Sequence, residues 1–468
     1  MQTANPKPHV VIIPSPGMGH LIPLVEFAKL LHFHHHFSVS LLLPTSTPPT
    51  AAQTTFLSTL PPAISPTFLP CVDPSLIPHN VAHEVTINLV HKHSLSYVRS
   101  ALSSLSNVVA VVADIFGTDY FDVAREFSIP PYLYFTTNAF CLMFFFHFPS
   151  LHETVSCEYR DMVEPLVLPG CVPLYGKDFV DPTQDRQDQV YQVFLNTIKR
   201  YIFAEGIFVN TFLDLEPAAI NALKTEDPNR PEIYPVGPLI QSGLGGDPDE
   251  GQECLSWLDR QPPSSVLFVS FGSGGTLTHE QMNELAIGLE KSGQRFLWVI
   301  RAPSNSTFGS FFTQGSNKDD SFGFLPEGYL DRIKDRGLLV PSWAPQIKVL
   351  THESTDGFLS HCGWNSTLES IVYGVPLIAW PLYAEQRMNA VMLNEGLKVA
   401  LRPKAKESGL VEADEIARVV NELMDGGEGK KVRERMKEFS ELARNTRSED
   451  GESTKILSQI AKKWSQNS

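Results

Sequence analysis

The sequence has few cysteines, and none of them are arranged in close pairs. Its six cysteines are Cys71, Cys141, Cys157, Cys171, Cys254 and Cys362. The absence of a CxxC pair argues against a zinc knuckle, and the scattered spacing argues against a disulfide scaffold. We therefore expect a reducing compartment, most simply the cytoplasm.

Long apolar runs are also missing. A helix that spans a bilayer needs about 18–20 apolar residues, and no run reaches that length. The densest run, Phe140–Phe148, is too short and contains His147. The first residues have no charged stretch followed by an apolar one, so we expect no signal peptide. The sequence predicts a protein without a membrane partner.

Positive charge is scarce. Lys and Arg together number 37 against 52 Asp and Glu, which gives a formal net charge of −15. Such an acidic chain is a poor candidate for binding nucleic acid or an anionic membrane. We expect small-molecule partners instead, with a monomer as the default. An anionic ligand would then have to be attracted by local groups rather than by the net charge.

Short β-branched runs alternate with helical patterns along the 468 residues. The predicted strands are His9–Ile13, Phe37–Leu43, Val108–Val112, Ser265–Val269, Phe296–Ile300, Leu338–Val340 and Gly357–Leu359. Strands separated by helices predict βαβ units, and hence parallel sheets covered by helices. The fold class is therefore α/β, with two halves of similar size and a cleft expected between them.

A polar, glycine-rich stretch separates the two halves. We predict an N-terminal domain over 1–242, a linker over 243–252 and a C-terminal domain over 253–451. The last helix, about 452–468, is expected to pack back on the N-terminal domain, with Ser453 as its N-cap. In open parallel sheets, ligands bind at the carboxyl ends of the strands, so the loops there carry the chemistry.

Two glycine loops follow predicted strands. Gly17-Met18-Gly19 opens a helix, but a dinucleotide fingerprint needs a third glycine where Ile22 stands. That substitution argues against a nicotinamide-dependent oxidoreductase. Ser270–Thr278 is the second loop, and its N–H groups could receive a phosphate. A loop of this kind can also be only a turn.

The segment Trp343–Gln386 concentrates groups that suit a nucleotide sugar. Its His361–Ser366 stretch opens a helix, whose N-terminus has free N–H groups and a positive dipole. Glu369, one turn later, would repel phosphate but could accept bonds from sugar hydroxyls. The aromatic Trp343 beside an amide can hold a base by stacking and edge bonds. Base, phosphate and sugar contacts are thus all available within this segment.

This segment resembles the signature of plant family 1 glycosyltransferases, which use UDP-sugars. The motifs WAPQ, HCGWNSTLES and the final EQ match along its whole length, and PSPGMGHLIP, LPGCVP and VSFGSGGTLT match outside it. The chain is similar in particular to the phenol-glucosylating, hydroquinone glucosyltransferase (arbutin synthase) branch. The resemblance implies a GT-B fold, with two Rossmann-like doubly wound domains facing across a cleft. The first would bind the acceptor and the second the donor.

The resemblance also implies roles for individual donor-site residues. Uracil and its ribose would be held by Trp343, Ala344, Gln346 and Glu369. The diphosphate would be held by Ser273, His361, Asn365 and Ser366. The sugar would be held by Trp364, Glu385 and Gln386. A terminal glutamine at this position is associated in the family with glucose donors, so UDP-glucose is the expected donor.

His20 and Asp114 form the candidate catalytic pair. His20 closes the first glycine loop, and Asp114 ends a strand of the same predicted sheet. Neutral imidazole can take a proton from a weakly acidic hydroxyl, and a carboxylate on the other ring nitrogen would fix its tautomer. The family assigns these two roles at the matching positions. The expected reaction is a single displacement that inverts the anomeric configuration and gives a β-O-glucoside.

We expect no metal and no resident cofactor for this reaction. Asp247-Pro248-Asp249 has the form of a DxD metal motif, but it lies in the predicted linker. Helix-terminal and hydroxyl donors would instead stabilise the leaving diphosphate.

The acceptor site is the least defined part of the sequence. Five residues could contact the acceptor, namely Glu84, Phe116, Asp119, Phe144 and Tyr383. The alternatives are solvent-facing positions for the carboxylates and core positions for the phenylalanines. The acceptor itself could resemble hydroquinone, a monolignol or a larger polyphenol. A non-catalytic sugar-nucleotide binding protein is the alternative function, and it would not need the His20–Asp114 pair.

Overall fold

The computed structural model describes residues 7–78, 81–225, 227–241, 251–304 and 322–466. The chain divides into two compact units. The first unit gathers the described residues of 1–177, 182–245 and 444–468, and the second those of 178–181 and 246–443. Asp178–Asp181 thus belong to the second unit, although they lie within the first predicted domain. Residues 243–250 of the predicted linker, with Asp247 and Asp249, lie outside the described residues.

The first unit is built on a seven-stranded sheet. Its strands are β1 His9–Ile13, β2 Ser38–Leu43, β3 Ile64–Phe68, β4 Val108–Asp114, β5 Pro131–Phe135, β6 Gly206–Val209 and β7 Glu232–Pro235. They lie in the order β3-β2-β1-β4-β5-β6-β7, and all neighbours pair in parallel. The three predicted strands of this half are confirmed as β1, β2 and β4. Their apolar runs, such as Val10–Ile13, are fully buried, which explains why the sequence pattern indicates them.

Helices connect and cover these strands. They are α1 Met18–His35, α2 Ala51–Ser58, α3 His83–Ser104, α4 Tyr120–Glu126, α5 Ala139–Thr154, α6 Gln189–Lys199 and α7 Pro217–Thr225. Several begin at side-chain caps that satisfy the first N–H groups. The Thr50 hydroxyl accepts from Gln53 N–H at α2, and Asn138 Oδ1 accepts from Cys141 N–H at α5.

The second unit repeats this plan with six strands. They are β8 Val266–Ser270, β9 Arg295–Ile300, β10 Gly337–Pro341, β11 Thr355–Ser360, β12 Leu377–Ala379 and β13 Ala400–Leu401. Their order is β10-β9-β8-β11-β12-β13, again with parallel neighbours. The four strands predicted in this half are confirmed, each to within two residues at either end.

Eight helices of the described chain accompany this second sheet. They are α8 Gln252–Leu258, α9 His279–Ser292, α10 Tyr329–Ile333, α11 Gln346–Leu350, α12 Trp364–Tyr373, α13 Gln386–Val391, α14 Ala413–Asp425 and α15 Gly427–Thr446. Helix α9 packs closely on α14. A Cβ atom at Gly288 would come within 2.5 Å of the Ile416 side chain, so the absence of a side chain permits this approach.

The last helix, α16, spans Glu452–Gln466 and packs in the core of the first unit. Trp464 is buried there, with edge contacts to Phe37, Tyr132 and Phe208. The prediction that Ser453 caps this helix is wrong. The helix begins one residue earlier, and the Ser453 hydroxyl donates to the Gly237 carbonyl oxygen at 2.6 Å.

The strand order of each sheet indicates which loops can bind a ligand. In each sheet, successive strands are first added towards one edge and then towards the other. The change occurs between two neighbouring strands, β1 and β4 in the first unit and β8 and β11 in the second. Ligands of doubly wound sheets bind at the carboxyl ends of such strands. The predicted doubly wound, Rossmann-like class is therefore confirmed for each unit. Within the described residues, no helix is long and apolar enough to cross a membrane.

Candidate active site

The first unit brings His20 and Asp114 together. Helix α1 starts after Gly17, whose φ of 114° suits glycine, and His20 lies in its first turn. Asp114 is the last residue of β4 and has no exposed surface. His20 Nδ1 lies 3.0 Å from Asp114 Oδ2, while the imidazole side chain remains 23% exposed. A partly exposed base thus contacts a buried carboxylate.

A buried chain of hydrogen bonds supports the same carboxylate from its other side. The Ser15 hydroxyl donates to Asp114 Oδ1, and Ser15 Oγ lies 2.9 Å from His91 Nε2. On its far side, His91 Nδ1 is 3.1 Å from the Tyr120 hydroxyl. Burial lowers the pKa of His91 to about 4, so this imidazole is neutral at physiological pH.

Counting protons along this chain gives it a direction. The single Ser15 proton points to Asp114, so His91 donates to Ser15 from Nε2. Its Nδ1 then has no proton, and the Tyr120 hydroxyl faces two acceptors on the same residue, His91 Nδ1 at 3.1 Å and the His91 carbonyl oxygen at 3.3 Å. Asp114 then accepts from Ser15 on one oxygen and from His20 Nδ1–H on the other. In this arrangement His20 Nε2 is the nitrogen that can accept a substrate proton.

Sequence reasoning did not find Ser15 or His91. Ser15 lies in the loop after β1, where a polar residue at a strand end gives a weak signal. His91 lies on α3, and no spacing rule connects that helix position with a strand end 23 residues later. Contacts of this kind depend on the tertiary structure.

The predicted acceptor residues have different surroundings. The Phe116 ring lies edge-on to the His20 ring, with centroids 5.8 Å apart. Glu84 lies in the first turn of α3 and is half-buried. The Asp119 carboxylate pairs with Arg200 at 3.4 Å. Phe144 is fully buried against Phe148 and belongs to the core of the unit in this structure. Phe116 is thus in direct contact with the histidine of the dyad.

In the second unit, His361 lies between two glycine backbones at the start of α12. A Cβ atom at Gly272 would come within 2.5 Å of His361 Nε2, and one at Gly363 within 2.4 Å. The ring is buried, and its Nδ1 has no hydrogen-bond partner among the described residues. Burial first, and then the charge of Arg301, lowers its pKa to about 4. A neutral, unpartnered ring nitrogen is a suitable donor for a bound phosphate.

Helix α12 adds backbone donors beside this histidine. Its first residue is Trp364, and its N-cap Gly363 provides no side-chain cap. The helix N-terminus carries a positive dipole, which favours an anion. Asn365 and Ser366 lie in this first turn, with Asn365 half-buried and Ser366 buried. Ser273, in the loop after β8, is exposed.

Arg301 joins two parts of this site, and sequence reasoning did not find it. Its Nη1 donates to the carbonyl oxygens of Gly272 and Gly275, the latter at 3.3 Å. Its Nη2 donates to Ser342 O at 2.7 Å, just before Trp343. One half-buried guanidinium thus connects the glycine loop after β8 with the turn that presents Trp343.

The nucleoside end of the predicted site combines an exposed ring with a buried carboxyl. Trp343 is 51% exposed, which leaves its face available for stacking, and the neighbouring Ala344 is buried. Gln346 Nε2 donates to Ser366 Oγ at 2.9 Å and to Glu369 Oε2 at 2.5 Å. Burial raises the pKa of Glu369 to about 7, against the lowering effect of the Gln346 bond. Further hydroxyl donors would stabilise its ionised form.

The predicted sugar contacts lie on the turn between β12 and α13. Gln386 Oε1 accepts from the N–H groups of Leu382 and Tyr383, at 2.9 and 3.0 Å. The NH₂ end of this buried amide is therefore the group that can donate to a sugar hydroxyl. Glu385 Oε1 accepts from Asn389 Nδ2 at 3.1 Å. Trp364 is buried at the start of α12. Burial raises the pKa of Tyr383 to about 12, so the phenol stays protonated at neutral pH.

Comparison with known proteins identifies the family. The sequence profile of UDP-glucoronosyl and UDP-glucosyl transferase matches residues 238–431. The chain is 54% identical to hydroquinone glucosyltransferase of Rauvolfia serpentina, over 98% of both chains. It is 55% identical to UDP-glycosyltransferase 72B1 of Arabidopsis thaliana, over 98% of this chain and 96% of that protein.

Solved structures agree with these matches. UGT2 of Phytolacca americana, complexed with UDP-2-fluoro-glucose and pterostilbene, is 67% identical, with a TM-score of 0.90. That alignment covers 98% of this chain and 100% of the other. A UDP-glucosyltransferase of Polygonum tinctorium, complexed with 3,4-dichloroaniline, is 50% identical over 99% and 100% of the two chains, with a TM-score of 0.91. The chain therefore belongs to the plant UDP-glycosyltransferases of the GT-B fold and is an enzyme that transfers a glycosyl group from a UDP-sugar.

Proposed function

We propose that this enzyme transfers glucose from UDP-glucose to the hydroxyl of a small phenol, with inversion, to give a β-O-glucoside. The observation that carries this proposal is the contact between a partly exposed His20 and a buried Asp114, 3.0 Å apart. A dyad of this kind is needed for catalysis, whereas a protein that only binds sugar nucleotides would not need it.

His20 acts as the general base. Its Nε2 takes the proton of the phenol as the phenolic oxygen attacks the anomeric carbon. Asp114 holds the ring through Nδ1 and stabilises the imidazolium that forms. The Ser15 and His91 hydrogen bonds keep the Asp114 carboxylate in place during this step.

The second unit holds the donor and accepts the leaving charge. The bond between the anomeric carbon and the diphosphate breaks, and negative charge builds up on the UDP oxygens. We assign its stabilisation to the N-terminus of α12, to His361 and to the Ser273 hydroxyl. Trp343, Ala344, Gln346 and Glu369 hold the nucleoside. The side chains assigned to the sugar are Trp364, Glu385 and Gln386.

Inversion follows from a single displacement. The acceptor oxygen attacks the face of the anomeric carbon opposite the leaving diphosphate, so an α-linked donor gives a β-glucoside. The residues proposed here act as a base and as hydrogen-bond donors, and none of these steps is assigned to a resident cofactor.

The acceptor class is supported by the relatives. One is named for hydroquinone, and one solved relative carries the phenol pterostilbene. Phe116 beside His20 offers an aromatic edge to such a ring. Direct roles of Glu84, Asp119, Phe144 and Tyr383 in acceptor binding remain predictions from the sequence.

A screen of donors against acceptors tests the proposal. UDP-glucose, UDP-galactose and UDP-glucuronic acid would each be combined with hydroquinone, pterostilbene and 3,4-dichloroaniline, with mass-spectrometric detection of the products. We expect the fastest transfer from UDP-glucose to the phenols. Faster transfer from UDP-galactose would contradict the role of Gln386, and transfer confined to the aniline would contradict the phenol assignment.

A further inference from the structure

Asp181 belongs to the second unit although it is far away in sequence from the rest of that unit. Its backbone N–H donates to the Ala384 carbonyl oxygen at 3.1 Å. Its carboxylate accepts from Ala384 N–H at 2.7 Å through Oδ2, and from Arg387 Nη1 at 2.7 Å through Oδ1. One aspartate thus binds both peptide groups of Ala384 and the side chain three residues later.

The backbone that Asp181 holds has an unusual conformation. Ala384 has a φ of +56°, in the left-handed region that residues with a Cβ atom rarely adopt. A non-glycine residue in this region carries strain, which the surrounding contacts have to offset. The two hydrogen bonds from Asp181 are contacts of this kind.

Ala384 lies directly before the two residues assigned to the sugar. Gln386 Oε1 is fixed by the N–H groups of Leu382 and Tyr383, on the other side of the same turn. The direction of the Glu385 and Gln386 side chains therefore depends on the backbone at Ala384. A small rotation there would move the two hydrogen-bonding groups relative to the sugar, because both follow it immediately in the chain.

We propose that Asp181 is a positioning residue for sugar recognition, which holds the left-handed turn at Ala384 so that Glu385 and Gln386 meet the hydroxyls of the donor sugar. This inference rests on the proposed function for the identity of the sugar. It predicts that binding of the sugar and binding of UDP respond differently to the loss of Asp181. Loss of Asp181 should weaken the recognition of the sugar and leave that of UDP unchanged, since no UDP contact is assigned to this turn.

The chain offers a matched control three residues before Asp181. Asp178 lies on the same segment and pairs with a different arginine, with Asp178 Oδ1 2.9 Å from Arg402 Nη2. Arg402 follows β13, and its ion pair in the described part of the chain is with Asp178 rather than with Asp181. Asp178→Ala therefore removes a comparable ion pair of the segment without removing the contacts to Ala384.

The experiment compares the full-length wild type with Asp181→Ala, Asp181→Asn and Asp178→Ala. Calorimetry gives the dissociation constants of UDP and of UDP-2-fluoro-glucose, and initial rates with hydroquinone give kcat and KM for UDP-glucose and UDP-galactose. For Asp181→Ala we expect about tenfold weaker binding of the sugar nucleotide, with UDP affinity unchanged within about twofold. The preference for glucose over galactose should fall by a similar factor.

Asp181→Asn keeps a carbonyl oxygen that can accept from Ala384 N–H, so it should recover most of the lost affinity. Asp178→Ala should behave like the wild type in both binding measurements. Equal losses for UDP and the sugar nucleotide in Asp181→Ala, or no loss in either, would overturn the inference. An equal effect of Asp178→Ala would do the same. If the wild type itself transferred no glucose to hydroquinone, the proposed function would fail, while the binding measurements would still test Asp181.

Discussion

Individual hydrogen bonds decide which nitrogen of His20 can act as a base. The directional chain from His91 Nε2 through Ser15 ends on Asp114, which leaves Asp114 as an acceptor on both oxygens. The His20 tautomer is thereby fixed with Nδ1 protonated. The dyad is therefore better described as one end of a buried network than as an isolated pair.

Ser15→Ala tests this network. The substitution removes one donor to Asp114 and leaves the His20 contact in place. We expect kcat with hydroquinone to fall about tenfold, because a loosely held carboxylate orients the imidazole less well, while UDP affinity stays unchanged. Ser40→Ala is the control, since Ser40 Oγ also pairs with a histidine, His9 Nε2 at 2.9 Å, away from Asp114. Equal kcat values for the two variants would contradict the network.

Glu369 should make UDP binding depend on pH. Its pKa is about 7 in the free protein, and the ribose hydroxyls are expected to bind its ionised form. Below about pH 7 a proton must leave before UDP binds, so the dissociation constant should rise as pH falls, by about tenfold to thirtyfold between about pH 7.5 and pH 5.5.

Calorimetry of wild type and Glu369→Gln over this pH range measures the effect. The phosphates of UDP titrate equally in both experiments, and His361, with its pKa of about 4, stays neutral. The variant should bind UDP more weakly at about pH 7.5 and with a flatter pH dependence. Parallel pH dependences for the two proteins would show that Glu369 is not the titrating group.

The donor-site residues could be predicted from the sequence, whereas the residues that hold them and the dyad in place could not. Trp343, His361 and Glu369 lie in one contiguous segment whose residue types already indicate the chemistry. Ser15, His91, Arg301 and Asp181 reach their partners only through the fold, often across more than 25 residues, as Arg301 does with Gly272. Sequence periodicity carries no information on such pairs, which explains why sequence reasoning did not find them.

At the scale of elements, burial explains which strands could be predicted. Runs that are covered on both faces, such as β1 and β8, are apolar except for one terminal residue each and give a clear signal. Strand β3 has three exposed residues in its centre and includes Pro66, so its composition does not indicate a strand. An N-cap at Ser453 would start α16 two residues later than its observed start at Glu452. Ser453 has the residue type of an N-cap but uses its hydroxyl for a tertiary bond.

Trp464→Ala tests how much α16 contributes to the first unit. Trp464 is 1% exposed and packs on three aromatic rings, so its removal leaves a large cavity. We expect the free energy of unfolding to fall by about 3–5 kcal/mol, measured by urea denaturation. Phe33→Ala, at a site that is 58% exposed on α1, should change it by less than about 1 kcal/mol. Similar losses in the two variants would contradict a core role for α16.

At the scale of the whole molecule, the net charge of −15 does not favour an anionic donor. The groups assigned to the diphosphate are a helix N-terminus, the neutral His361 and hydroxyl and amide donors, and they act over short distances. Charges farther away than about 8 Å are screened at physiological salt. Local donors can therefore outweigh the repulsion by the molecule as a whole.

This balance predicts the salt dependence of UDP binding. Screening weakens the long-range repulsion by the acidic surface, so UDP affinity should stay constant or rise when NaCl increases from about 0.01 M to about 0.15 M. A site that relied on a basic surface would lose affinity over the same range. Calorimetric titration of the wild type at both concentrations distinguishes the two, and a tenfold loss of affinity would contradict the local-donor account.

The central claim is that His20 is the base of an inverting glucosyl transfer. Its most direct test follows the reaction of UDP-glucose with hydroquinone by NMR, for the wild type and His20→Ala, with UDP affinity measured on both proteins. We predict a β-configured glucoside from the wild type and a kcat lower by about 10²–10⁴ in the variant, at unchanged UDP affinity. An α-configured product, or undiminished transfer by His20→Ala, would contradict the claim.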